Sequence, residues 1–195
     1  MHILNKMEPH LADIDKQMFY SYLDRATVYL EYGSGGSTYQ AHKRNNIKKI
    51  YSVESDWEWH NLLTNKLASA TNIEFIFNDM NTLPNNWGYP GPNSTREQIV
   101  NYSDHIIRVN DNEIDLILID GRFRVACCLK CFGKISNTSF IAFDDFLDRP
   151  EYHLVLDYYE IVKYTTDNRM VILQKKQNID QVPEELIRQY EMVSR

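Results

Sequence analysis

A run of small and acidic residues at positions 31–37 is the first feature of the sequence that could do chemistry. It reads Glu-Tyr-Gly-Ser-Gly-Gly-Ser and follows a short β-prone run that begins at Val28. Glycine permits a tight turn and a close approach of the backbone to a ligand. The turn could therefore cradle a small molecule at the end of a strand, or serve only as a tight connection.

Polar residues also follow the next three predicted strands. They are Glu54-Ser-Asp after the second strand, Asn78-Asp-Met after the third and Asp120-Gly-Arg after the fourth. Ligands of open parallel sheets bind beyond the carboxyl ends of the strands. A carboxylate such as Glu54 can take both hydroxyls of a ribose diol, because it has two acceptor oxygens. Each acid alone could equally be a solvated loop residue, but the series of four strand ends favours a nucleoside cofactor.

The order of elements shows how these residues would converge. Apolar residues at helical spacing predict a leading helix over residues 11–23. Strands and helices then alternate, which predicts a mostly parallel sheet with right-handed crossovers and helices on both faces. The predicted strands are 28–31, 50–53, 73–77, 114–119, 139–143, 161–165 and 170–174, and the last two form an antiparallel hairpin around Asp167 and Asn168. The helices predicted between them are 38–44, 57–70, 95–109, 125–132 and 151–159.

Taken together, the glycine turn and the strand-end acids resemble the class I S-adenosylmethionine-dependent methyltransferases. The first motif of that family is an acidic residue followed by Gly-x-Gly-x-Gly, and the resemblance covers roughly residues 28–174. It implies an α/β, three-layer Rossmann-like methyltransferase fold, with a mostly parallel seven-stranded sheet and a C-terminal antiparallel hairpin. Ser37 stands where the motif has its third glycine, and serine is a favoured helix cap at such a position.

The resemblance also implies which residues would bind S-adenosylmethionine. Glu31 and the glycine turn would hold the methionine portion, Glu54 the ribose hydroxyls and Asp79 the adenine amine. Ser55 and Met80 would pack against the adenine. The full set of cofactor-binding residues that it implies is Glu31, Gly33, Ser34, Gly35, Glu54, Ser55, Asp79, Met80 and Asp120.

Three carboxylates are predicted beside the sulfonium end of the cofactor. Asp120 after the fourth strand, with Asp144 and Asp145 after the fifth, resembles the metal-dependent O-methyltransferases, in which such acids hold magnesium. Oxygen ligands suit a hard divalent cation. We therefore expect these three acids to bind Mg²⁺; the alternative is that they pair with arginines or cap a helix. Phe123 stands where that group has a catalytic lysine, so the catalytic candidates are Asp120, Asp145 and His153.

Domain organisation follows from the same pattern. Residues 1–177 are expected to form the methyltransferase domain, with 1–27 as a helical cover and 81–112 as an insertion or lid rich in proline and glycine. Residues 178–195 are expected to form a helical tail. This tail is expected to pack either on its own domain or on a partner subunit in a homodimer.

Composition bears on nucleic-acid binding, membrane insertion and metal binding. A net charge of −6 argues against general nucleic-acid binding, and no apolar run approaches the roughly 20 residues that a membrane span needs. We expect a cytoplasmic protein. Cys127, Cys128 and Cys131 lie in one predicted helix, where packing as small apolar residues is favoured over a zinc site that wants four ligands.

The expected function is methyl transfer from S-adenosylmethionine to a small molecule, sugar or glycan precursor, with metal-assisted O-methylation as one form. A nicotinamide-dependent oxidoreductase is one alternative, because an acid about 20 positions after a glycine turn also suits its ribose. Thr38 counts against it, since it occupies the sixth position of a Gly-x-Gly-x-x-Gly motif that starts at Gly33. The other alternative is a noncatalytic nucleoside-binding module.

Overall fold

The computed structural model describes residues 7–165 and 169–195, in which seven strands and six α-helices alternate. The strands are β1 (Val28–Tyr32), β2 (Lys49–Glu54), β3 (Ile73–Phe77), β4 (Leu116–Ile119), β5 (Phe140–Phe143), β6 (Tyr159–Tyr164) and β7 (Val171–Lys175). The helices are α1 (Asp13–Leu23), α2 (Gly36–His42), α3 (Trp57–Lys66), α4 (Arg96–Asp104), α5 (Arg124–Cys131) and α6 (Glu184–Tyr190).

The strands form one sheet in the order β3-β2-β1-β4-β5-β7-β6. Strands β1 to β5 pair in parallel, whereas β7 runs antiparallel to both β5 and β6. The chain builds outward from β1 to β3 and then returns to the other side of β1 at β4, and such a switch point leaves a crevice at the strand ends. The predicted Rossmann-like class, with its antiparallel hairpin, is confirmed. The predicted turn at Asp167 and Asn168 lies outside the described residues.

Local signals set several boundaries. Asp56 caps α3 by accepting a hydrogen bond from Trp59 N at 3.1 Å, and Thr95 caps α4 through Gln98 N at 3.2 Å. The helix predicted over 151–159 is instead a 3-10 segment, Pro150–Asp157, and β6 begins directly beyond it.

Apolar layers cover both faces of the sheet. On one face, α5 buries the three cysteines Cys127, Cys128 and Cys131 completely, and burial raises the pKa of their thiols. Their predicted packing role is confirmed. On the other face, α1 buries Phe19 and Leu23.

The segment 81–112 is not one uniform loop. Its second half contains α4, and Asn78 at the end of β3 holds this helix by accepting from Asn101 Nδ2 and donating to the Gln98 carbonyl, both at 2.9 Å. The long irregular stretch is residues 81–95, and after α4 the segment ends in a short 3-10 turn, His105–Arg108, and a tight turn. A movable cover, as predicted for the whole insertion, would therefore involve only this first half.

The C-terminal tail lies on its own domain. Glu191, just beyond α6, pairs with Lys130 Nζ at 2.9 Å and with Arg96 Nη2 at 3.0 Å. Of the two packing positions predicted for the tail, the structure shows packing on its own domain. Within residues 7–165 and 169–195, no helix has the length and apolar character that a membrane crossing requires.

Candidate functional site

A cavity of about 750 Å³ opens at the carboxyl ends of β1, β2, β4 and β5. This volume lies in the range of small-molecule and cofactor sites. The cavity lies at the switch point of the sheet, where the strand order predicts a ligand. Most residues of the predicted site line it: Gly33, Ser34, Gly35, Glu54, Ser55, Asp120, Asp144 and Asp145.

The glycine turn is shaped by two close approaches. Gly33 has a φ of +96°, and a Cβ there would lie 2.9 Å from the backbone nitrogen of Gly121. A Cβ at Gly36 would lie 2.1 Å from the carbonyl carbon of Glu8. Only glycine fits either position, because both neighbours are backbone. The N-terminal chain thus crosses the turn, and its Glu8, Pro9 and His10 line the cavity, which sequence reasoning missed because it gave no signal for this long-range contact.

Glu31 lies beneath the turn and is completely buried. Its carboxylate accepts hydrogen bonds from Tyr29 OH at 2.9 Å, Ser37 Oγ at 2.6 Å, Ser52 Oγ at 2.6 Å and Thr38 Oγ1. Burial raises the pKa of Glu31, although these hydroxyls oppose the rise. The carboxylate supports the turn and does not line the cavity, so its contact with the methionine portion stays a prediction.

Ser34 connects the turn to β2. Its Oγ lies 2.7 Å from Ser52 Oγ, and its backbone N–H donates to Glu54 Oε2 at 3.1 Å. Glu54 Oε1 accepts from the backbone N–H groups of Ser55 at 2.6 Å and Asp56 at 2.8 Å. Burial raises the pKa of Glu54 to about 7, against the effect of these backbone donors. A carboxylate offers about four acceptor sites, so Glu54 keeps capacity for a ligand hydroxyl.

Two tryptophans face the same cavity. Trp59 on α3 donates from Nε1 to the Ser34 carbonyl at 2.6 Å. Trp87 lies in the irregular segment, where its φ of +53° and that of +73° at Gly88 place two left-handed residues in succession. Ser55 Oγ donates to the Gly88 carbonyl at 3.0 Å, which fixes this part of the segment over the end of β2. The sequence predicts Trp87 only as one residue of the lid over 81–112, and it gives no signal for Trp59, whose place depends on the tertiary fold.

Arg122 bridges the cavity and the covering segment. Its guanidinium lies over the Tyr89 ring at 4.3 Å, and its buried Nε has no hydrogen-bond partner among the described residues. A cation over an aromatic face is favourable. This contact and the Ser55 hydrogen bond close the segment over one end of the cavity.

The strand-end acids of β4 and β5 surround a buried guanidinium. Arg124, the first residue of α5, lies 3.2 Å from Asp120, 3.8 Å from Asp144 and 3.3 Å from Asp145. It also donates to the backbone carbonyls of Asp120 and Asp144. The three acids converge as predicted, but an internal cation lies among them.

The predicted magnesium site is therefore not supported. No group of three or more His, Cys, Asp or Glu residues in the described ranges has the arrangement of a metal site. The residues do not fit Mg²⁺, because Arg124 pairs with the oxygens that the ion would need. The alternative that these acids pair with arginines is the one the structure shows.

Asp144 and Asp145 differ in how their charge is balanced. Asp145 has a φ of +58° and also pairs with Arg149 Nη2 at 2.7 Å and Arg169 Nη1 at 2.9 Å. Asp144 has only Arg124, and its buried Oδ1 has no hydrogen-bond donor among the described residues. Burial, with the charges of Asp120 and Asp145, raises the pKa of Asp144 to about 8.

Besides Glu31, three residues of the predicted site do not line the cavity: Asp79, Met80 and His153. Asp79 is exposed and accepts from Asn81 N at 2.8 Å, and the Met80 side chain is completely buried. His153 Nε2 lies 2.9 Å from the Phe146 carbonyl, so that nitrogen must carry a proton to donate. Adenine binding by Asp79 and Met80, and proton transfer by His153, stay predictions.

Comparison with known proteins gives structural relatives only, since no protein-family model and no curated protein matches the chain. A methyltransferase-like protein from Silicibacter pomeroyi is 26% identical, with a TM-score of 0.82 over 97% of this chain and 99% of that one. A putative O-methyltransferase from Klebsiella pneumoniae is 13% identical, with a TM-score of 0.57 over 87% of this chain and 84% of that one. The S-adenosylhomocysteine-bound methyltransferase PaMTH1 from Podospora anserina is 14% identical, with a TM-score of 0.57 over 84% and 78%. The chain thus has the fold of the class I S-adenosylmethionine-dependent methyltransferases, with its subgroup open.

Proposed function

We propose that the protein transfers a methyl group from S-adenosylmethionine to a small-molecule or sugar-like acceptor. One observation carries the proposal: the glycine turn and the buried carboxylate of Glu54 line one cavity at the switch point of the sheet. A turn that admits a ligand to its backbone, beside an acid with a free acceptor site, suits a nucleoside with a ribose diol. The S-adenosylhomocysteine in the Podospora anserina relative adds support.

The proposed cofactor residues are the six predicted ones that line the cavity: Gly33, Ser34, Gly35, Glu54, Ser55 and Asp120. A bound S-adenosylmethionine supplies an electrophilic methyl group on its sulfonium. The carboxylates at the ends of β4 and β5 would lie beside that positive charge. Asp145 is paired with three arginines, and the raised pKa of Asp144 favours its neutral form, whereas Asp120 has Arg124 as its one ion-pair partner among the described residues.

Acceptor chemistry would take place at the β4 and β5 side of the cavity. Methyl transfer is an in-line displacement, so the protein has to align the acceptor and remove its proton. We propose Asp120 or Asp145 for proton removal, since both line the cavity. The metal-assisted form is not part of the proposal, because Arg124 already pairs with the carboxylates that it would use.

The cellular setting and assembly are proposals of the same kind. Three buried free cysteines suit a reducing compartment such as the cytoplasm. We keep the homodimer as a proposal, to be tested by the mass of the protein in solution.

Calorimetric titration with S-adenosylhomocysteine tests the proposal. The wild-type protein should bind it, and Glu54→Ala should weaken binding by about 1.5–3 kcal/mol, the range for hydrogen bonds to charged groups. Glu74→Ala is the matched control, because Glu74 is a surface acid paired with Lys49 on the neighbouring strand. Binding of NAD but not of S-adenosylhomocysteine would replace the proposal with the oxidoreductase alternative. Unchanged affinity in Glu54→Ala would remove Glu54 from the site.

A further inference from the structure

The chain has three tryptophans, and two of them, Trp59 and Trp87, line the cavity from different elements. The third, Trp57, packs on Phe77 with a centroid distance of 5.1 Å and is not part of the cavity wall. The cavity therefore has two indole faces at its mouth that the cofactor motif of the sequence does not account for.

Trp59 is fixed against the glycine turn. Its Nε1 donates to the Ser34 carbonyl at 2.6 Å, and its ring atoms lie 3.5 Å from where a Cβ of Gly35 would stand. The side chain nevertheless keeps 40% of its surface exposed. Since the Ser34 N–H binds Glu54, the ring is held beside the carboxylate proposed for the ribose.

Trp87 is held in a conformation that costs energy. A left-handed backbone is unusual for a bulky aromatic residue, and the hydrogen bond from Tyr89 N to the Asn86 carbonyl at 3.0 Å closes a tight turn around it. The turn leaves 78% of the tryptophan exposed. Backbone strain of this kind concentrates at binding and active sites. The hydrogen bond between Ser55 and Gly88 keeps this exposed ring at the end of β2.

We propose that Trp59 and Trp87 bind the purine ring of the cofactor by stacking; this inference rests on the proposed function. A base attached to a ribose held by Glu54 has to lie within a few ångströms of that sugar. The two rings lie at this end of the cavity, whereas Asp144 and Asp145 follow β5, three strand spacings or about 14 Å away. Asp79 and Met80 are not part of the wall, so the tryptophan faces are the apolar surface that the base meets there.

Stacking on tryptophan suits this ligand chemically. A purine is flat and neutral, and base–aromatic stacking contributes about 1–3 kcal/mol per base. An acceptor bound at this end of the cavity would lie three strand spacings from Asp145, too far for that acid to take its proton. The two indole rings therefore bind the cofactor, and the acceptor binds at the β5 side of the cavity.

Calorimetry on matched variants tests the assignment. Trp87→Asn removes the ring and keeps a residue type that tolerates the left-handed backbone. We expect the Kd for S-adenosylhomocysteine and for adenosine to rise about tenfold, by loss of stacking, with a melting temperature equal to or above that of the wild type, since Asn relieves the backbone strain. Trp59→Leu should give a similar loss. The control Trp57→Leu, two positions away on the same helix and outside the cavity wall, should bind both ligands like the wild type.

Tryptophan fluorescence gives a second measurement. In Trp57→Phe the only remaining indoles are Trp59 and Trp87, so S-adenosylhomocysteine should quench the emission with the same Kd that calorimetry reports. Wild-type affinity in both Trp87→Asn and Trp59→Leu, without quenching in Trp57→Phe, would overturn the inference and leave the methyltransferase proposal intact. Loss of turnover at unchanged S-adenosylhomocysteine affinity would also overturn it, because the rings would then serve the acceptor. If the wild-type protein binds neither S-adenosylhomocysteine nor adenosine, both proposals fail together.

Discussion

The β1–β2 half of the cavity and the β4–β5 half stabilise their buried carboxylates in different ways. Glu31 and Glu54 are surrounded by hydroxyl and backbone N–H donors, which carry no net charge. Asp144 and Asp145 meet guanidinium groups, above all that of Arg124. Dipoles stabilise an ionised acid and leave its charge in place, whereas a cation cancels it. The first half therefore suits a ligand that brings hydroxyl groups, whereas the charges of the second half are largely balanced within the protein.

The largest expected effect comes from removing that balance. Arg124→Met should destabilise the protein by about 3–5 kcal/mol, since it leaves buried acids without their cation. Urea unfolding measures the loss, which should grow with pH as the freed carboxylates ionise. Arg188→Met is the matched control: its exposed pair with Glu184 should contribute no more than about 0.5 kcal/mol. A loss as small as that of the control would mean that the acids of the second half do not depend on Arg124.

A pH titration of stability should give the next largest effect, in the first half. The pKa of Glu54 rises from 4.5 to about 7 on folding, so the folded protein keeps a proton that the unfolded chain releases between these values. The stability from this group is complete below pH 4.5 and falls as pH rises to 7, by about 3 kcal/mol in all. Glu54→Gln should remove this fall and make the variant the more stable protein at pH 8.

Unfolding of wild type and Glu54→Gln at pH 5 and pH 8 measures that difference. The raised pKa of Asp144 acts in the same direction but is common to both proteins, so it cancels in the comparison. Glu74→Gln, at the surface, should follow the wild type. Parallel pH profiles for wild type and Glu54→Gln would show that the dipoles of the first half fully compensate for burial.

The smallest expected effect is that of magnesium on the second half. Because Arg124 pairs with the carboxylates there, Mg²⁺ should leave the melting temperature unchanged relative to NaCl of equal ionic strength. A saturable rise would identify a metal site in this half and contradict the difference between the two halves.

The sequence predicts the cofactor half better than the acceptor half, for a physical reason. The positions of Gly33 and Glu54 follow from local patterns, because alternating strands and helices force the strand ends to one edge of the sheet. Asp120, Asp144 and Asp145 converge for the same reason. The guanidinium of Arg124 between these acids could not be predicted from the sequence, because the path of this side chain depends on how α5 packs against β4 and β5.

Long-range contacts account for the other differences. Glu8 crosses over Gly36, 28 positions away, and Trp59 contacts Ser34, 25 positions away. No periodic pattern in the sequence predicts either contact. Asp79 follows its strand as predicted, yet the segment that holds Gly88 lies on Ser55 and leaves Asp79 outside the cavity wall. Strand-end position predicts proximity to a site, and it does not by itself predict access to it.

The hydroxyl network beneath the turn also fixes a direction for protons. An ionised Glu31 can only accept hydrogen bonds, so the Ser52 hydroxyl must donate its one hydrogen bond to that carboxylate. Ser52 then receives the hydrogen bond from Ser34, whose own proton points down into the protein. The Ser34 hydroxyl consequently presents lone pairs alone to the cavity. With an ionised Glu31, the Ser34 hydroxyl can therefore accept a hydrogen bond from a ligand but cannot donate one. It favours an ammonium or hydroxyl group of the ligand over a carboxylate.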